Sequence, residues 1–184
     1  MILCCIDMAS RCAEAAMVRD GDVLASAAWP NEPRAGRQTW FGDLQSLTGR
    51  SGLGWDAVDA FAVDIGPGSY SGLRTAAAAV RALALPGGQP VAAVNVGDVL
   101  VRSIVPSVET PRAVVYGDAR REQVWYGRFE RLDEGWRQQG DWALAPAAGL
   151  PDLAGADVTL CSPDADRLGE RMDRSRAPDA VWIE

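Results

Sequence analysis

Residues 65–74 (Ile65-Gly66-Pro67-Gly68-Ser69-Tyr70-Ser71-Gly72-Leu73-Arg74) constrain this chain more than any other stretch. Ahead of them, the short apolar run Ala60-Phe61-Ala62-Val63 predicts a buried strand. Behind them, the alanine-rich run from Thr75 to Val80 predicts a helix, because alanine loses no side-chain entropy on entering one. The chain must reverse tightly between the two, and Gly66 and Gly68 around Pro67 supply the backbone freedom. Ser69 stands where its hydroxyl can accept from a first-turn N–H and cap the new helix. Strand, glycine loop and helix start is also a geometry that turns backbone N–H groups toward an anion. The spacing nevertheless departs from the known phosphate loops. Ser71 occupies the last glycine position of G-x-G-x-x-G, and the chain has no lysine for a P-loop. Pro67 replaces the first glycine of a G-x-S-x-G nucleophile elbow.

Two absences narrow the chemistry. With no histidine there is no Ser-His-Asp triad, no usual general base and no imidazole metal ligand. Without lysine there is no Schiff base. The four cysteines, Cys4, Cys5, Cys12 and Cys161, show no metal-ligand spacing and lie in apolar runs, so they are expected to be reduced core residues of a cytoplasmic protein without a metal centre. No apolar run reaches the ~18 residues of a membrane span, and no basic stretch precedes Ile2, so neither a membrane anchor nor a signal peptide is expected. The net charge of −7 argues against independent nucleic-acid binding. The densest arginine region, Arg112 to Arg137, also carries Asp118, Glu122, Glu130, Asp133 and Glu134, and reads as a mixed-charge strand surface.

Along the chain, Ile2 to Ile6 predicts a strand ending at Asp7, and Cys12 to Val18 and Val23 to Trp29 predict a hairpin turned at Asp20-Gly21. Trp40, Phe41, Leu44 and Leu47 recur at helical spacing within a helix from Arg34 to Thr48. Strands follow at Asp59 to Ile65 and Val91 to Val94, and helices at Tyr70 to Leu85 and Gly97 to Val105. Glu109-Thr110-Pro111 reads as a linker, which sets domains of 1–108 and 109–184. Beyond it, Ala113 to Tyr116, Gln123 to Glu130, Trp136 to Leu144 and Val158 to Cys161 read as strands, Asp164 to Asp173 as an amphipathic helix, and Ala180 to Ile183 as a last strand.

Gly66-Pro67-Gly68-Ser69-Tyr70-Ser71-Gly72-Leu73-Arg74 resembles the GPGSFTGxR signature of the bacterial TsaB (YeaZ) family. Ile2 to Ser10 resembles that family's opening hydrophobic-IDTS strand, and Asp118 to Tyr126 its DARxxEVY segment, in matching order over roughly the first 130 residues. The resemblance implies an α/β actin-like ATPase (ASKHA, ribonuclease-H-like) fold of two half-domains with mixed sheets. The second is expected to be smaller and truncated, since family members usually continue beyond Glu184. In nucleotide-binding members of that fold the first loop touches phosphate, so Asp7 and Ser10 are the candidate contacts here for a weakly bound nucleotide; both residue types equally make local turn bonds. A histidine usual near the start of the first helix is replaced by Gly36-Arg37-Gln38-Thr39, so any role it has is lost or taken over by Arg37 or Gln38.

The same resemblance implies a non-catalytic partner protein for N6-threonylcarbamoyladenosine modification of tRNA. It would pair with a TsaD-like catalytic paralogue, act with a TsaE-like ATPase, and meet tRNA only through the complex; a homodimer is the other assembly. The signature loop residues Gly66, Pro67, Gly68, Ser69 and Arg74 launch the helix implied to carry the interface. On that helix Gly72, Ala76 and Ala79 form a small-residue strip beside an apolar one of Leu73, Ala77, Val80 and Ala84. Gly72, Leu73, Ala76, Ala79 and Val80, with Trp40 and Leu44 of the first helix, are the expected contacts, and arginine at Ala76 or Ala79 is expected to block pairing. Two other readings stand beside this one. An actin-fold phosphotransferase would draw on Asp7, Asp64 and Asp118, each at the end of an apolar run. A self-associating scaffold would need no partner.

Overall fold

The computed structural model describes residues 1–31, 40–103, 110–154 and 157–183. Arg34, Gly36-Arg37-Gln38-Thr39, Ile104 to Val105 and Glu109, which bear on several of the expectations above, lie outside the described residues. The chain divides into two compact units, Met1–Val94 and Asn95–Glu184.

In the first unit, alternation sets the opening strands. Every second residue of β1 (Ile2–Asp7), β2 (Cys12–Arg19) and the second half of β3 (Asp22–Pro30) is buried, as a sheet with one covered face requires. Asp20 and Gly21 turn β2 into β3 with positive φ at both residues, 53° and 97°, the I′ geometry that Asp-Gly favours. β1 then pairs in parallel with β4 (Ala60–Asp64), and β4 with β5 (Val91–Val94), giving the order β3-β2-β1-β4-β5. α1 (Trp40–Ser51) and α2 (Tyr70–Ala84) cover one face of the sheet. Met17, Trp29, Leu44, Leu47, Phe61 and Val80 form the heart of that layer, each less than a tenth exposed.

The second unit repeats the pattern. β6 (Arg112–Arg120), β7 (Gln123–Leu132) and β8 (Gly135–Pro146) are antiparallel, while β9 (Val158–Cys161) and β10 (Val181–Ile183) add in parallel, giving the order β10-β9-β6-β7-β8. α3 (Val96–Ser103) packs Val96 and Val101 on one face, against Ala113, Val115, Phe129 and Trp136. On the other face, α4 (Leu150–Ala154) and α5 (Ala165–Leu168) bring Leu150 and Leu168 onto Val114, Tyr116 and Leu160. The three-antiparallel, two-parallel order, present in both units, is the mixed-sheet architecture expected of the actin-like fold.

Three expectations are corrected. The division falls at Val94/Asn95 rather than 108/109, because α3 buries its apolar side in the second unit's core and belongs with it. The units are close in length, the second slightly the shorter, and match in strand number. The helix expected from Asp164 to Asp173 is one turn of α5 followed by a short 3-10 segment, Gly169–Arg171. Cys12 is exposed at the start of β2 rather than in the core, whereas burial pushes the Cys4 and Cys161 thiols up to about 12. No helix among the described residues is long and apolar enough to cross a membrane.

Candidate functional site

The signature residues build a joint between the end of β4, the start of α2 and the loop after β1. Gly66 donates its N–H to Asp64 Oδ1 at 2.7 Å and takes a φ of +96°, which a side chain would resist. Ser69 donates its N–H to the Ala9 carbonyl at 2.6 Å, while its hydroxyl accepts from Gly72 N–H at 3.3 Å and caps α2. The N–H groups of Gly66, Ser69 and Gly72 are thus bonded inside the protein. Gly68 and Gly72 are contact glycines. A Cβ on Gly68 would stand 2.5 Å from the Ala9 carbonyl oxygen, and one on Gly72 only 1.7 Å from that of Met8. Asn31, unmarked by any sequence motif, ties the same loop by donating from Nδ2 to the Met8 and Ser10 carbonyls at 2.7 and 2.9 Å.

Parallel pairing brings Asp7 and Asp64 together at the ends of β1 and β4. Asp7 Oδ1 accepts from Ala9 N–H at 2.6 Å. Asp64 is 8% exposed, and its carboxyl is pushed up to about 7. Burial is the main cause, Gly66 N–H opposes it, and the neighbouring Asp7 carboxylate and its hydrogen bond add to it. Ser10 donates its hydroxyl to the Cys12 carbonyl at 2.7 Å. Both candidate nucleotide contacts, Asp7 and Ser10, thus make local turn bonds. Asp118 of the second unit is engaged by Arg167, whose Nη1 lies 2.8 Å from its Oδ2. Among the described residues no group of three or more Cys, Asp and Glu is placed to hold a metal ion.

The free face of α2 differs from both expected strips. Gly72, Ala76, Val80 and Ala84 are buried on the protein's own sheet, so Gly72, Ala76 and Val80 offer nothing to a partner. The reason is helical drift. A straight helix lying on a sheet buries an i, i+4, i+8 line, which took Val80 rather than Ala79. Leu73 is half-buried, while the half-buried Ala79 and the buried Leu44 of α1 line the groove between the two helices. Outward from this line, α1 and α2 enclose a groove of about 750 Å³ whose walls include Trp40, Phe41, Arg74, Ala78, Ala82 and Leu83. Phe41 is 56% exposed and meets Trp40 edge-to-face at 5.7 Å. Arg74 stands over the ring of Tyr70, itself 75% exposed, at 5.4 Å. Sequence reading identified the two helices but missed Phe41, Ala78 and Ala82. The signal was there: counting i, i+4, i+7 and i+11 from Ser71 runs through Thr75, Ala78 and Ala82.

A family model described as TsaD, tRNA N6-adenosine threonylcarbamoyltransferase, matches residues 43–152. A Pseudomonas aeruginosa structure described as an uncharacterized protein with similarity to peptidase YEAZ superposes with a TM-score of 0.74 at 25% identity, covering 100% of this chain and 83% of that one. YeaZ from Pseudomonas aeruginosa gives 0.71 at 25% identity, with 94% and 80% covered. The activator of 2-hydroxyisocaproyl-CoA dehydratase from Clostridium difficile, at 11% identity, TM-score 0.53 and coverage of 100% and 89%, shares the fold alone. No curated protein sequence matches.

Proposed function

Because the chain belongs to the TsaD family, on its YeaZ (TsaB) side, we propose that it is a non-catalytic partner in tRNA threonylcarbamoyladenosine modification. It pairs with a TsaD-like paralogue through the α1/α2 groove and works beside a TsaE-like ATPase in the cytoplasm. Family membership ties the chain to tRNA modification; the pairing is our reading. The observation that carries it is the groove itself. An apolar channel between two helices, with Phe41 more than half exposed, is surface that a lone soluble domain gains nothing by presenting. The absence of histidine supports a non-catalytic role, since it leaves neither an imidazole metal ligand nor the usual general base. The net charge of −7 supports contact with tRNA through the complex rather than alone.

Arginine at Ala78 or Ala82 tests the pairing. Both side chains are exposed, so the variants keep the wild-type melting temperature, whereas arginine at the buried Ala76 would unfold the helix's seat. A desolvated arginine in the middle of a packed helix contact costs on the order of 3 kcal/mol or more, so co-purification with the TsaD-like paralogue is lost. A folded Ala78→Arg variant that still binds the paralogue with wild-type affinity overturns the reading. Size-exclusion chromatography of the chain alone shows whether a second copy competes for the groove.

A further inference from the structure

The hairpin joining β6 to β7 plays no part in the pairing proposed above, yet it is the most strained stretch among the described residues. Arg120 is paired with Gln123, so Arg121 and Glu122 form a two-residue turn. Such a turn needs positive φ at both central residues, a conformation that glycine and asparagine take most readily. Here Arg120, Arg121 and Glu122 stand in succession at φ of 71°, 51° and 62°. Three long side chains in the left-handed region are costly, and strain of this kind persists where the surroundings enforce it, most often at functional sites.

The enforcing groups are visible. Asp118, its side chain 3% exposed, accepts the Arg120 N–H on Oδ1 at 2.8 Å. The same carboxylate lies 2.8 Å from Arg167 Nη1 and 3.8 Å from Arg171 Nη1. From beneath, Asp164 Oδ2 accepts the Asp118 N–H at 3.0 Å. On the far side of the turn, the Glu122 carbonyl accepts from Ala147 N–H at 2.8 Å. Burial pushes the Asp164 carboxyl up, which weakens the negative charge under the turn. Glu122, Asp166 and Glu170 are exposed carboxylates on the same segments. Arg120 and Arg121 are exposed and make no ion pair among the described residues, although the chain carries 25 acidic residues against 18 basic ones.

We propose that the Arg120-Arg121-Glu122 turn is an anion site that takes a phosphate group. The two unpaired guanidinium groups and the N–H groups of Arg121 and Glu122 receive the phosphate, and Asp118, which holds the Arg120 N–H, acts as the positioning residue that keeps the turn in shape. Successive N–H groups in such turns converge on an anion, and guanidinium matches phosphate with paired donors. The phosphate comes from the backbone of RNA or from a free nucleotide; only the RNA source rests on the tRNA-linked reading above.

The test uses the full chain, an unmodified tRNA and, separately, ATP. In the variant Arg120→Asn/Arg121→Asn both charges are gone while both positions gain the non-glycine residue that best tolerates positive φ. It therefore melts no lower than wild type, and loss of binding is not loss of fold. Wild-type affinity for tRNA is weak, no tighter than ~10⁻⁶ M at physiological salt, so anisotropy titrations run at low salt. The double variant binds at least tenfold more weakly, and its log–log salt dependence falls by about two. The control Arg19→Gln/Arg81→Gln, which removes two exposed charges elsewhere, changes affinity by less than about twofold. Amide shifts of Arg121 and Glu122 on adding tRNA but not ATP assign the phosphate to RNA; shifts with ATP but not tRNA assign it to a nucleotide. Shifts with neither, or equal losses in the two double variants, overturn the proposal. Failure of the groove reading shows instead in the Ala78→Arg co-purification, which this turn does not enter.

Discussion

Gly72→Ala lowers the melting temperature by roughly 10 °C or more, the counterpart of about 3–5 kcal/mol in a chain of this size. The added methyl would lie 1.7 Å from the Met8 carbonyl oxygen, 2.9 Å from its carbonyl carbon and 2.8 Å from Asn31 Nδ2. Two of those three atoms are backbone, so no rotamer change relieves the overlap. The start of α2 must lift off the loop after β1. Lifting it stretches the Ser69 N–H bond to Ala9 and disturbs the amide of Asn31, which bonds to Met8 and Ser10. Gly68→Ala meets Ala9 in the same way but at 2.5 Å, on a loop rather than a helix, and is the milder of the two. Thermal denaturation followed by circular dichroism decides the matter: a Gly72→Ala protein with wild-type stability would mean that the glycine is there for some other reason.

Asp64 makes the protein more stable in mild acid than at pH 8. Its carboxyl titrates near 7 when folded and near 3.8 when unfolded, so the folded state holds a proton that the unfolded state has released. That contribution is complete below about pH 4, declines as the pH rises through the interval, and is gone above the folded value. Between pH 5 and pH 8 the loss is on the order of 2–3 kcal/mol. Asp164, raised by burial as well, adds to the same slope, whereas Asp20 and Asp173, lowered by hydrogen bonds at the surface, act only at more acid pH and with the opposite sign. In Asp64→Asn the amide is neutral at every pH and its oxygen still accepts the Gly66 N–H. The variant matches wild type at pH 5, exceeds it at pH 8, and shows a flatter dependence of unfolding free energy on pH. An unchanged slope in urea titrations across that range excludes Asp64 as its source.

The strand, turn and capped helix of residues 60–84 were legible because each depends on neighbours a few residues away. Alanine favours helix wherever it stands, Ser69 caps the N–H three residues on, and Gly66 frees its own φ. The Asp20-Gly21 hairpin was legible for the same reason. The family followed from the nine residues of the signature, and the comparisons bear it out together with the actin-like fold. The turn at Arg121-Glu122 was not legible as a left-handed hairpin, since neither residue favours that geometry; Asp118, Arg167 and Ala147 impose it from three separate elements.

Tertiary packing alone chose which side of α2 faces inward. Composition made Gly72, Ala76 and Ala79 as good a seat as Leu73, Ala77 and Val80. The approach of Met8 to Gly72 fixed the rotation, leaving Ala78 and Ala82 outside. It likewise set the proton on Asp64, because an aspartate at the end of a strand is ordinary until packing buries it and the parallel register of β1 and β4 sets Asp7 beside it. The boundary at Val94 belongs to the same class, since only the core that α3 joins reveals which side of it the helix is on. Local preferences are written in adjacent residues and survive in the unfolded chain. Rotation, register and burial exist only once distant segments exclude water from each other, and here they decide which face of α2 is left open and where a proton is held.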